Sequence, residues 1–72
     1  MNDAITTAVE ILGRHPDWTI KFFYEIDLQC VGFHMASPAY RHTVRFAKED
    51  LDTALLSDIV SRGLLEAEKG LE

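Results

Sequence analysis

Trp18-Thr19-Ile20-Lys21-Phe22-Phe23-Tyr24-Glu25-Ile26 is the stretch that decides the fold. Apolar side chains fall at every second position, Trp18, Ile20, Phe22, Tyr24 and Ile26, with Thr19, Lys21, Phe23 and Glu25 between them. A period of two belongs to a strand with one face buried, and aromatic and β-branched residues favour that state. Asp27-Leu28-Gln29 predicts a turn, although no glycine fixes its type. A second strand is expected from Cys30 to Ala36, with Val31, Phe33 and Met35 opposed to Cys30, Gly32 and His34. Ser37-Pro38 marks the next turn. A third strand, from Tyr40 to Ala47, places His42, Val44 and Phe46 opposite Arg41, Thr43 and Arg45. Three strands with short links predict an antiparallel meander.

Outward from the strands the period becomes helical. Ile5, Ala8, Val9 and Leu12 form one apolar stripe within residues 3–13, with Thr6, Thr7 and Glu10 on the other side. Asn2 or Asp3 supplies the cap, and Gly13 is expected to end the helix in a left-handed conformation ahead of Pro16. Lys48-Glu49-Asp50 is expected to open a second helix, with acids near the positive end of its dipole. Leu55, Leu56, Ile59 and Val60 form its apolar arc, and Leu51–Val60 is expected to reach the core. Gly63 weakens that helix by about 1 kcal/mol relative to alanine. Leu64, Leu65 and Ala67 continue on a partly different arc, so either the helix bends at Gly63 or its end packs on a second subunit. The expected fold class is α+β, ordered α-β-β-β-α, a three-stranded antiparallel meander sheet with both helices on one face. Residues 1–70 make one domain; Leu71-Glu72 matches the pair a cloning site leaves before a tag and is given no structural weight.

Seventy-two residues and 8.2 kDa allow one thin core, with about 60% of the unfolded surface hidden on folding. A composition 47% hydrophobic and 26% charged is that of a folded chain rather than a disordered one. The single Cys30 excludes an internal disulfide framework and a multi-cysteine zinc site. No apolar run approaches the roughly 18 residues of a membrane span, and Met1-Asn2-Asp3 lacks the basic start of a signal peptide. A soluble, cytoplasmic domain is therefore expected. The net charge of −5 opposes generic nucleic-acid binding, which draws affinity from phosphate neutralisation. That charge is uneven: residues 1–13 carry −2 and residues 48–72 carry −4, while residues 14–47 carry +1 and all three histidines.

The order α-β-β-β-α at this length resembles that of double-stranded RNA-binding domains. In that family the binding residues lie in a Gly-Pro-x-His-type loop between the first two strands and in a lysine-rich start to the second helix. Here the corresponding loop is Glu25-Ile26-Asp27-Leu28-Gln29 and the helix opens Lys48-Glu49-Asp50, so one base is followed by two acids that repel phosphate. The resemblance covers element order across most of the chain and none of the functional motif.

Other chemistry finds little support in the residue pattern. Cys30, His34, His42 and His15 carry suitable metal-ligand atoms, but Cys30 and His34 stand roughly 13 Å apart along a strand, and His34 and His42 fall on opposite sheet faces. No glycine elbow or oxyanion loop surrounds Ser37, Ser57 or Ser61. Glu25/Asp27 and Glu49/Asp50/Asp52 read as turn and helix-start acids rather than an acid–base pair. A domain this small also leaves little volume for an enclosed pocket of about 300 Å³. No catalytic residue, metal or cofactor is expected.

The open face of the sheet is more informative. If Trp18, Ile20, Phe22 and Tyr24 face the helices, Phe23, Cys30, Gly32 and His34 face away, beside Lys21, Arg41, Thr43 and Arg45. A small acidic interaction or regulatory module is expected, non-enzymatic and homodimeric or bound to another protein, with no membrane partner. Accessory proteins of bacteria and their phages commonly have this character. The expected interaction surface comprises Phe23, His34, Leu64 and Leu65, rimmed by Lys21, Arg41 and Arg45. The alternatives are a nucleic-acid binder using the basic outer face, and a small enzyme or carrier whose pocket forms between subunits.

Overall fold

The computed structural model describes residues 4–47 and 53–72, with side chains described for 4–47 and 56–72. The elements follow in the order α1 (Ala4–Arg14), β1 (Thr19–Glu25), β2 (Cys30–Ala36), β3 (Arg41–Ala47) and α2 (Thr53–Leu71). The expected caps at Asn2 and Asp3, the helix start at Lys48-Glu49-Asp50, Leu51 and the side chain of Leu55 lie outside the described residues.

The strands form one antiparallel sheet in the order β1-β2-β3. Register places Phe22 opposite Phe33 and Phe33 opposite Val44, so Ile20, Phe22, Tyr24, Val31, Phe33, Met35, Val44 and Phe46 share the face towards the helices. The β1–β2 turn holds a Gln29 N–H to Ile26 O bond of 3.2 Å, and Gln29 itself takes the left-handed region at φ 49°. A non-glycine residue therefore closes the turn whose type no glycine fixed. The second turn is stapled by Ser37 N–H to Tyr40 O at 2.8 Å, and by Tyr40 N–H to Ser37 Oγ at 3.0 Å.

Both helices cover one face and run parallel. Ala4 N–H donates to Ser57 Oγ, the Thr7 and Ser61 hydroxyls pair, and Arg14 meets Glu68, so the partner number rises along both helices together. This geometry corrects the expected face of α1. Its buried residues are Thr7, Ala8 and Ile11, while Ile5 and Val9 are exposed. The physical reason lies in the seam: Thr7 and Ser61 satisfy one another's hydroxyls, which removes the cost of burying them, and small side chains let the helices approach.

Gly13 is also corrected. No glycine among the described residues has positive φ, and α1 continues through it to Arg14 before His15 N–H bonds Ile11 O. Gly63 does not divide α2, which remains one helix through Leu71. A Cβ there would stand 3.0 Å from Phe46 Cζ and 3.4 Å from Phe33 Cε1, so the glycine lets two sheet rings rest on the helix. Leu64 and Ala67 consequently lie in the same core as Val60, with Ala8, Ile11, Trp18, Phe33 and Met35. Leu71 packs against this core as well, so it carries structural weight as the last residue of α2. No helix among the described residues is long and apolar enough to cross a membrane.

Candidate functional site

The open sheet face gathers its residues by register. Lys21 stands opposite His34 and His34 opposite Thr43; Phe23 stands opposite Gly32 and Gly32 opposite Arg45. The Phe23 and His34 rings stack with centroids 4.6 Å apart and planes 26° from parallel. The Arg45 guanidinium carbon sits 5.7 Å from the Phe23 centroid, and Arg45 Nε donates to Glu25 Oε1 at 3.0 Å. His34 Nδ1 and Thr43 Oγ1 share a hydrogen bond of 2.8 Å. Phe23 is therefore half-buried among its own neighbours. Lys21 and Arg41 form no ion pair among the described residues, and with Thr19, His34, His42 and Thr43 they line an open hollow of about 530 Å³.

A second surface lies around the free edge of β1. On the helix side of the sheet Phe22 is 46% exposed and Tyr24 48%, although both were expected in the core. Ile26, in the following turn, is 76% exposed and Leu28 beside it is 65% exposed. Ile5 on α1 is 69% exposed, and it joins Ala4, Phe22, Val31, Leu56 and Val60 around an apolar hollow of about 310 Å³. The domain thus has room for a hollow of a size its length did not suggest, but the hollow lies open at the surface. Helical geometry puts Ile5 and Val9 on the flank of α1 turned from Thr7 and Arg14, and so from α2. Because α1 lies over β1 while α2 lies over β2 and β3, that flank overhangs the β1 edge.

A third cluster ties the ends of the two helices. Arg14 Nε and Nη2 each donate to Glu68 at 2.9 Å, and His15 Nε2 lies 3.0 Å from Glu68 Oε2 and 3.5 Å from Glu72 Oε1. The His15 ring stacks on Trp18, centroids 3.7 Å apart and 8° from parallel. The hydrogen bonds from Arg14 hold the Glu68 carboxyl below the usual carboxylate range, against burial, which pushes it up; His15 adds to the lowering. Arg14 is raised in turn, chiefly by its hydrogen bond to Glu68. His15, Glu68 and Glu72 bring ligand atoms within 4.8 Å of one another. Both Glu68 oxygens already serve the guanidinium, however, so a divalent cation would have to displace it. The i, i+4 spacing of Glu68 and Glu72 is visible in the sequence, but their meeting with His15 is a product of the parallel helices.

The structure brings Lys21, Phe23, His34, Arg41 and Arg45 together on the outer face. It does not join Leu64 and Leu65 into a patch. Leu64 is 0% exposed, packed in the monomer's own core because it falls on the Val60 side of α2. Leu65, the next residue, is exposed and takes no part in the core. The apolar surface around Ile5, Val9, Phe22 and Tyr24 was missed, since period alone assigns each of these residues to a buried face. No protein-family model, curated protein or solved structure matches the chain.

Proposed function

We propose that this protein is a non-enzymatic interaction module that self-associates through the apolar surface around β1. The observation carrying this reading is the set of exposed apolar residues Ile5, Val9, Phe22, Tyr24 and Ile26 around β1, a strand whose one strand neighbour among the described residues is β2. Large exposed apolar patches mark contact surfaces, because water contact with them costs free energy roughly in proportion to area. A two-layer slab 15 Å thick has little interior of its own and gains most from covering one side. Sedimentation equilibrium at about 100 μM should give twice the 8.2 kDa chain mass. Ile5→Lys should return the mass to one chain with the helical and strand signals retained. A single-chain mass for the unaltered protein would sink the reading.

A second reading has one specific observation in its favour. The stacked Phe23 and His34 rings lie on an open sheet beside Lys21, Arg41 and Arg45, an arrangement suited to stacking with nucleic-acid bases. The net charge of −5 and the Glu25 partner of Arg45 weigh against it. It requires retardation of single- or double-stranded RNA that falls steeply with salt and disappears in Lys21→Ala/Arg41→Ala. Absence of any shift at low salt removes it.

A further inference from the structure

We infer that two copies pair through β1, antiparallel and in one register, with Phe23 facing its own counterpart on the two-fold axis, so that the sheets join into one of six strands. The inference rests on the self-association just proposed and adds its geometry. β1 is an edge of the sheet, so among the described residues it has a strand neighbour on one side only, β2. A two-fold axis requires an isologous contact, in which each residue pair occurs twice.

The sequence of β1 answers this requirement in the register centred on Phe23. Lys21 of one copy then stands opposite Glu25 of the other, Phe22 opposite Tyr24, and Phe23 opposite Phe23. One step further out, Ile20 stands opposite Ile26. Each pair is of a kind that stabilises neighbouring strands: opposite charges on the outer face, aromatic with aromatic on the helix face, and aliphatic with aliphatic at the end. Glu25 uses Oε1 for Arg45, and its second oxygen serves Lys21 of the other copy. Shifting the centre to Phe22 sets Lys21 opposite Phe23 and Glu25 opposite Thr19, which loses the charge pairing.

The same two-fold axis leaves α1 of both copies on one side of the joined sheet. Their Ile5 and Val9 flanks, which overhang the β1 edges, are carried towards each other, and Phe22 and Tyr24 lose their exposure beneath them. The opposite edge does not suit the role. In β3 the register centred on Thr43 sets Arg41 against Arg45 twice, and like charges directly opposed are unfavourable. Pairing β1 with β3 of another copy would be heterologous, giving a ring or an open filament and no two-fold dimer.

Charge exchange across the interface tests the register. K21E alone sets two glutamates opposite each other at both ends, and E25K alone does the same with two lysines. Each should weaken the dimer about tenfold by sedimentation. An equimolar mixture of K21E and E25K should restore wild-type association as a heterodimer, because both of its pairs are again opposite in sign. The double variant K21E/E25K should restore it as a homodimer. Lys21 has no ion pair within its own chain among the described residues, so K21E tests the interface without touching an internal bond, and circular dichroism checks the fold of each variant. A dimer insensitive to K21E, or a mixture that fails to recover, overturns the register while leaving self-association in place. A wild-type chain that stays single at about 100 μM overturns both.

Discussion

The ring of Phe23 lies over Gly32, the residue it faces across the β1–β2 pair, so closely that a Cβ on Gly32 would stand 2.7 Å from Phe23 Cζ and would collide with the Val44 carbonyl. The aromatic ring covers the backbone that the glycine leaves bare, and Gly32 is buried as a result. Gly32→Ala should therefore destabilise by about 1–3 kcal/mol through overpacking, read as a lower urea midpoint. The stack of Phe23 on His34 would be disturbed in the same variant. An unchanged midpoint would mean that the ring is not seated there.

Gly13 presents the opposite case. It lies within α1 at negative φ, and nothing is within 4 Å of a Cβ built on it. Gly13→Ala should raise stability by about 0.5–1 kcal/mol, through helix propensity and a less flexible unfolded chain. Thermal melting of the variant gives the answer, and a loss would place Gly13 outside the helix.

At Gly63 two effects oppose each other. Alanine improves helix propensity by about 1 kcal/mol, yet its methyl presses on Phe46 Cζ at 3.0 Å. Phe46 is only half-buried and its ring tip can yield, so Gly63→Ala should come within about 1 kcal/mol of neutral. Gly63→Val adds volume against Phe33, which is fully buried, and should cost about 1–3 kcal/mol by chemical denaturation. A valine variant as stable as alanine would show that the helix stands off the sheet.

Glu68 makes the fold sensitive to acid. Its folded-state pKa lies below the ordinary value of 4.5, so the stability it contributes is complete above that value and is lost as pH falls through the lowered one. Glu68→Gln keeps the shape and removes the titration. The variant should be less stable than wild type at neutral pH, with the gap closing in acid as the wild-type carboxyl takes up its proton. Paired denaturation curves from pH 7 down to about pH 2 measure this, and a gap independent of pH would assign no linked proton to Glu68.

Element order, sheet order and the division of the strands into two faces are legible in the sequence because apolar residues recur at every second position in β1, β2 and β3 and the links are short. The grouping of Lys21, Phe23, His34, Arg41 and Arg45 follows from the same alternation. The helices are less legible. A stripe of Ile5, Ala8, Val9 and Leu12 has the right period, yet the seam with α2 selects Thr7, Ala8 and Ile11, because hydroxyl pairing and small volume decide how closely two helices can approach. Leu64 misleads for a related reason: its arc is covered by both the sheet and α1, and a helix touched on two sides buries more of its circumference than one layer would. The surface around Phe22 and Tyr24 is hidden from a periodicity argument, which tells which face a residue occupies but not where the covering helices stop.

The bonds between the helices join residues 53 or 54 positions apart: Ala4 with Ser57, Thr7 with Ser61, Arg14 and His15 with Glu68. The hairpins of the meander, by contrast, close over a few residues each. In a chain emerging from the ribosome, α1 is made early but has no lasting partner until α2 follows, since an isolated eleven-residue helix is marginal in water. The sheet can zip while α1 still samples open conformations, and a later step locks α1 against α2. Until that step the β1 edge and its aromatic residues stand without their helical cover, which makes the order of synthesis itself a hazard for premature strand pairing between nascent chains.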